Sequence, residues 1–96
     1  MCAFFYFKER KMSSRVALMA VIVEDPDSVE QFNSTLHQYA LYIIGRMGIP
    51  YPKKGISIVS VALDAPQDVI SALSGKLGKI SGISVKTAYS KVTGDE

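Results

Sequence analysis

The chain has one cysteine, one histidine and no tryptophan in 96 residues. Cys2 has no second cysteine to pair with, which excludes an internal disulfide and any metal or redox site built on a cysteine pair. His37 stands apart from other ligand types and reads as a surface or boundary histidine, so no metal site is expected. A net charge of +2 is too small to mark a nucleic-acid partner, and no basic stripe is present. No apolar run reaches the roughly 18 residues of a membrane span. There is no nucleophile with a neighbouring base and no carboxylate pair. Gly45-Arg46-Met47-Gly48 lacks the lysine and hydroxyl that would complete a phosphate loop. These absences predict a chain with no catalytic residues and no cofactor, and so not an enzyme.

What is present is a repeated strand-helix unit. Val23-Glu24-Asp25-Pro26-Asp27-Ser28-Val29 is echoed forty positions later by Leu63-Asp64-Ala65-Pro66-Gln67-Asp68-Val69. In each copy an apolar strand ends in an acidic, proline-marked corner that opens a helix. Proline fits a first helical turn, and a preceding aspartate can accept an N–H there. Asp27 with Glu30 predicts a second capping box one turn further in.

The first strand, Arg15 to Val23, is apolar on both faces, as is the third, Ile56 to Leu63, apart from Ser57 and Ser60. A strand with one wet face would alternate with polar residues, so both should be central. Helix one is expected over 28–42, with Val29, Phe32, Leu36, Ala40 and Ile43 as its apolar stripe. Ile43 to Tyr51 reads as a short edge strand, weakened by Gly45 and Gly48 and confined to an edge by Pro50. Pro52-Lys53-Lys54-Gly55 forms a basic turn. Helix two is expected over 66–77, with Val69, Ile70, Leu73 and Leu77 inward and Gly78 as its stop. Its small residues Ala72, Ser74 and Gly75 would allow close approach to the sheet or to another subunit. The fourth strand, Ile83 to Ser90, turns Ile83, Val85, Thr87 and Tyr89 inward and a polar face out, as suits an edge.

Strand, helix, strand, strand, helix, strand predicts an α+β, ferredoxin-like βαββαβ sandwich. Its four-stranded antiparallel sheet should run in the order 4-1-3-2, with two helices on one face. The two doubly apolar strands then fall in the centre. The opposite sheet face would be bare and apolar in a monomer, which predicts a homo-oligomer, a dimer or tetramer. A 48% apolar composition in so small a chain points the same way. Residues 1–14 lie outside the repeat, 15–92 form the domain and 93–96 a polar tail. The extension carries Phe4-Phe5-Tyr6-Phe7 ahead of its charges, an order that argues against a signal peptide and favours a cytoplasmic chain. It reads as a dispensable tail, or else as an arm whose aromatics dock on a neighbouring subunit or sheet edge.

Residues Arg15 to Val92 resemble the iron-only hydrogenase system regulator family. The resemblance is carried by Val23-Glu24-Asp25, by Tyr42 to Tyr51, by Ile56 to Val61, by Asp64-Ala65-Pro66, by Ile70 to Gly78 and by Val85 to Ser90. It implies a cytoplasmic, oligomeric ferredoxin-like domain, related in fold to ACT domains and to the C-terminal domain of nickel-responsive regulators. The nickel ligands of those regulators, several histidines and a cysteine, have no counterpart here, where His37 is alone and no cysteine follows Cys2. The resemblance implies a regulator associated with iron-only hydrogenases and supplies no ligand; the two readings are a non-enzymatic module that takes a small effector at a subunit interface, and an adaptor that binds a hydrogenase-related partner without any ligand. ACT-like ligands sit near the end of the first strand, which here is Glu24, Asp25, Asp27 and Ser28. A ligand amine could pair with the carboxylates, and a ligand carboxylate could take helix N–H groups. Gly45, Arg46 and Gly48 form a second candidate, where glycine admits close approach and arginine holds an anion. Some ferredoxin-like domains hydrolyse acyl phosphates with an arginine and an asparagine, but Arg46 and Asn33 share no loop in this sequence.

Overall fold

Two apolar strands at the centre of the sheet set the architecture. The computed structural model describes residues 14–93, so all of the aromatic extension but Ser14 (1–13) and the last residues of the polar tail (94–96) lie outside the described residues. The strands are β1 (Arg15–Val23), β2 (Ile43–Tyr51), β3 (Ile56–Ala65) and β4 (Ile83–Thr93), and the helices are α1 (Val29–His37) and α2 (Gln67–Gly78). The sheet order is β2-β3-β1-β4, with every neighbouring pair antiparallel. Read from the other edge this is 4-1-3-2, the ferredoxin-like order expected from the repeat.

Alternation along the central strands divides them between two faces. Ala17, Met19, Val21 and Val23 of β1 are buried with Val59, Val61, Leu63 and Ala65 of β3. Phe32 and Leu36 of α1 and Ile70, Leu73 and Leu77 of α2 cover them. The alternate residues Val16, Leu18, Ile22 and Ile58 stay exposed on the face away from the helices.

Several elements differ from expectation, each for a local reason. Helix α1 ends at His37, five residues before the expected Tyr42. Tyr39 and Tyr42 pack against the core through a single 3-10 turn at Ala40–Tyr42, and Ile43 already pairs with Leu63 as strand. Ala40 therefore leaves the predicted stripe and is exposed. Strand β2 is nine residues long, because Gly45 and Gly48 adopt ordinary extended backbone and a bulge near Ile44 absorbs the irregularity. The capping box of Asp27 with Glu30 does not form: a 3-10 turn at Pro26–Ser28 intervenes, and α1 starts only at Val29. Asp25 does cap that turn, its Oδ1 accepting the Asp27 N–H at 3.0 Å. Gly78 remains helical, with Lys79 also right-handed; the turning glycine is Gly82, at φ 76°. Ala72 and Gly75 are exposed, so their small size serves no contact with the sheet.

Candidate functional site

Edge strand β2 determines the shape of the helix-covered face. Past the bulge its inward positions are Arg46, Gly48 and Pro50, which pair with Val61, Val59 and Ser57 of β3. None of the three fills the space beneath α1. Among the described residues of β2, Ile43 alone packs against the core. A Cβ placed on Gly48 would meet no atom within 4 Å.

The result is a cleft of about 250 Å³ between α1 and β2, just below the roughly 300–1,000 Å³ usual for ligand pockets. Val23, Phe32 and Val59, all at least nine-tenths buried, contribute apolar wall. A second lobe of about 230 Å³ shares Val29 and Pro50 and extends along Pro26 and Tyr51. Arg46 and Asn33 also line a neighbouring hollow of about 260 Å³ that includes His37.

Arg46 and Asn33 share no loop, yet the fold brings them into contact. The Arg46 Nη2 donates to Asn33 Oδ1 at 3.0 Å, and the guanidinium lies 5.7 Å from the centre of the Phe32 ring. Among the described residues no carboxylate pairs with Arg46, so most of its donor fork stays available to a ligand. Asn33 was not among the expected site residues, yet it lines the cleft with Arg46. Val29, Asn33 and His37 recur every four residues and so share one face of α1, while Arg46, Gly48 and Pro50 recur every two along β2.

The other predicted residues separate from this cleft. Gly45 pairs with Ala62 on the opposite face, beside Leu18 and Met47. The corner at Glu24 to Ser28 is bound to the turn before β4. The Glu24 N–H donates to Gly82 O at 2.7 Å, and Ser28, 6% exposed, donates its hydroxyl to Ser81 O at 2.6 Å. Gly82 packs so closely on this corner that an added Cβ would lie 2.6 Å from that of Asp25. Glu24 and Asp27 are exposed. Among the described residues no group of three or more His, Cys, Asp or Glu is arranged around a metal position, and no helix is long and apolar enough to cross a membrane.

The bare face is as well defined as the cleft. Ile49, Ile58 and Ile22 form one cross-strand row, Met47, Ser60 and Ala20 the next, and Gly45, Ala62 and Leu18 a third. Leu18 is 48% exposed, Met47 62% and Ile49 51%. Lys86, opposite Ala20, and Asp64, opposite Val16, lie at its margins.

One sheet face covered by two helices, the other bare and apolar, and a cleft under the first helix define a small ferredoxin-like domain. Residues 15–87 match the family model described as "TM1266-like: Iron-only hydrogenase system regulator, putative", and the chain belongs to that family. A solved structure of the uncharacterized protein TM1266 from Thermotoga maritima is similar, with 35% identity, a TM-score of 0.78, and coverage of 81% of this chain and 99% of that one. Comparison with curated proteins gives no match.

Proposed function

We propose that the chain is a non-enzymatic, cytoplasmic regulatory domain of an iron-only hydrogenase system that works as a homo-oligomer and responds to a small effector. The family assignment supports the regulatory role. The observation that carries the assembly is the bare sheet face. The three strands that carry it, β2, β3 and β1, about 4.8 Å apart and with nine residues of about 3.3 Å rise, cover roughly 400 Å² in projection, and β4 flanks them with Ser84, Lys86 and Ser90. A monomer seldom exposes a contiguous apolar patch larger than a few hundred Å², and a stable interface buries about 800 Å² on each side. A second copy laid on this face supplies such cover, with Lys86 and Asp64 left at the rim.

An assembly of this kind has the ACT-like character that the family resemblance implies, in which effector occupancy alters how subunits sit together. The adaptor reading, in which a hydrogenase-related protein covers the face, has one specific observation in its favour. Leu41 is 98% exposed at the tip of the 3-10 turn, an apolar side chain with no cover of its own.

Sedimentation of the full chain tests the assembly. Wild type should sediment as a dimer or tetramer, and Leu18→Lys, which places a charge at the middle of the face, should shift it to monomer while leaving the far-ultraviolet circular dichroism unchanged. A monomeric wild type would overturn the homo-oligomer and leave the adaptor reading in its place.

A further inference from the structure

We propose that the cleft between α1 and β2 binds a small amphiphilic anion, an apolar ring or short chain bearing one carboxylate or phosphate, with Arg46 holding the anionic group. The inference rests on the regulatory reading for its purpose, since it names the class of effector, but its chemistry stands on the cleft alone.

Three features of the cleft fit that class. Its walls are apolar, so the body of the ligand must be apolar too. Its one charged group is Arg46, uncompensated by any carboxylate among the described residues and steadied by the neutral carbonyl oxygen of Asn33. A cation so placed favours an anion and leaves a neutral ligand of the same shape with only the walls. Finally, the space exists because β2 puts Gly48 opposite the buried Val59, where an inward strand position would ordinarily carry a core side chain. The backbone there is ordinary and the space around it empty, so no local steric demand accounts for glycine. A site of about 250 Å³ admits a ligand the size of a phenyl ring with its acid, and the adjoining lobe along Pro26 and Tyr51 could take a modest extension.

The test titrates isotope-labelled full-length protein with phenylacetate, phenyl phosphate and the neutral phenylacetamide, following backbone amide signals by NMR. At least one anion should cause saturable shifts at Val29, Asn33, Gly48 and Ile49, with phenylacetamide at least about tenfold weaker. The two anions separate a carboxylate effector from a phosphate one. Arg46→Met should weaken anion binding by about tenfold or more while keeping an unbranched apolar stem in place of the arginine's. Gly48→Val should abolish binding of all three compounds by occupying the cleft, with the fold verified by its own amide spectrum. Binding by none of the three, equal binding of phenylacetamide, unchanged binding in Gly48→Val, or shifts confined to Leu18 and Ile22 on the bare face would each overturn the proposal. The same titration on Leu18→Lys separates the two readings. Anion binding that persists in that variant supports the cleft whatever the assembly does, and an oligomer that binds no anion sinks the cleft while leaving the assembly intact.

Discussion

The two halves of the helical layer descend from the same strand-helix pattern but end differently. Helix α2 packs over β1 and β4 and buries Ile70, Leu73 and Leu77 completely. Helix α1 buries Phe32 and Leu36, yet Val29 at its first position is 36% exposed and its outer flank borders the cleft. The difference originates in the edge strands. β4 turns Ile83 and Val85 beneath its helix, whereas β2 turns Arg46, Gly48 and Pro50. One half is finished as core, and the other withholds side chains from a place where burial would have been favourable. Buried side chains are thus concentrated in one copy of the motif and open space in the other.

The largest expected effect lies in the closed half. Leu73→Ala removes a fully buried side chain from beneath α2 and should cost about 2–5 kcal/mol in urea unfolding. Val29→Ala, on the open side, should cost under about 1 kcal/mol. Similar losses at the two sites would show that the cleft closes in solution and would break the comparison.

Two glycines sharpen it. Gly82→Ala forces a side chain onto left-handed backbone and against Asp25, and should destabilise by about 1–3 kcal/mol. Gly48→Ala adds a methyl to ordinary strand backbone facing open space, so it should be neutral or slightly stabilising. Thermal unfolding of both variants decides the matter; a large loss at Gly48 would mean that the space beneath α1 is not open. Thr87→Val is a smaller test within the closed half. The Thr87 hydroxyl is buried without a hydrogen-bond partner, and replacing it with a methyl of similar size should stabilise by about 1 kcal/mol.

Much of this arrangement was legible in the residues. Apolar residues on both faces of β1 and β3 placed them at the centre, and the repeated proline corner implied the topology. Periodicity misjudged α1, because Ala40 and Ile43 continue a helical spacing although two tyrosines draw the chain off its axis. The candidate site was only half visible. Gly45, Arg46 and Gly48 looked like one segment, but a bulge and strand alternation send Gly45 to the opposite face. Asn33 was set aside for lying on a helix apart from Arg46, since a contact between a helix and an edge strand depends on how the layers stack and not on spacing along the chain. The acidic corner was a ligand candidate through the ACT-like resemblance, and the sequence showed none of the partners of its polar groups. Those partners, Ser81 and Gly82, lie more than fifty residues away.

Asn33→Ala gives the smallest expected change in stability and separates architecture from binding most cleanly. Asn33 is an exposed residue that touches the open half through one hydrogen bond to Arg46. Its loss should alter unfolding free energy by less than about 0.5 kcal/mol, because both groups can turn to water and alanine favours the helix. Affinity for an amphiphilic anion should fall several-fold all the same, since a free guanidinium samples many rotamers and must be ordered again on binding. If stability falls and anion affinity does not, the pair belongs to the packing of α1 on the sheet, and the two halves differ less than their side chains suggest. If affinity falls alone, Asn33 is a positioning residue for Arg46, and the open half is organised around a ligand.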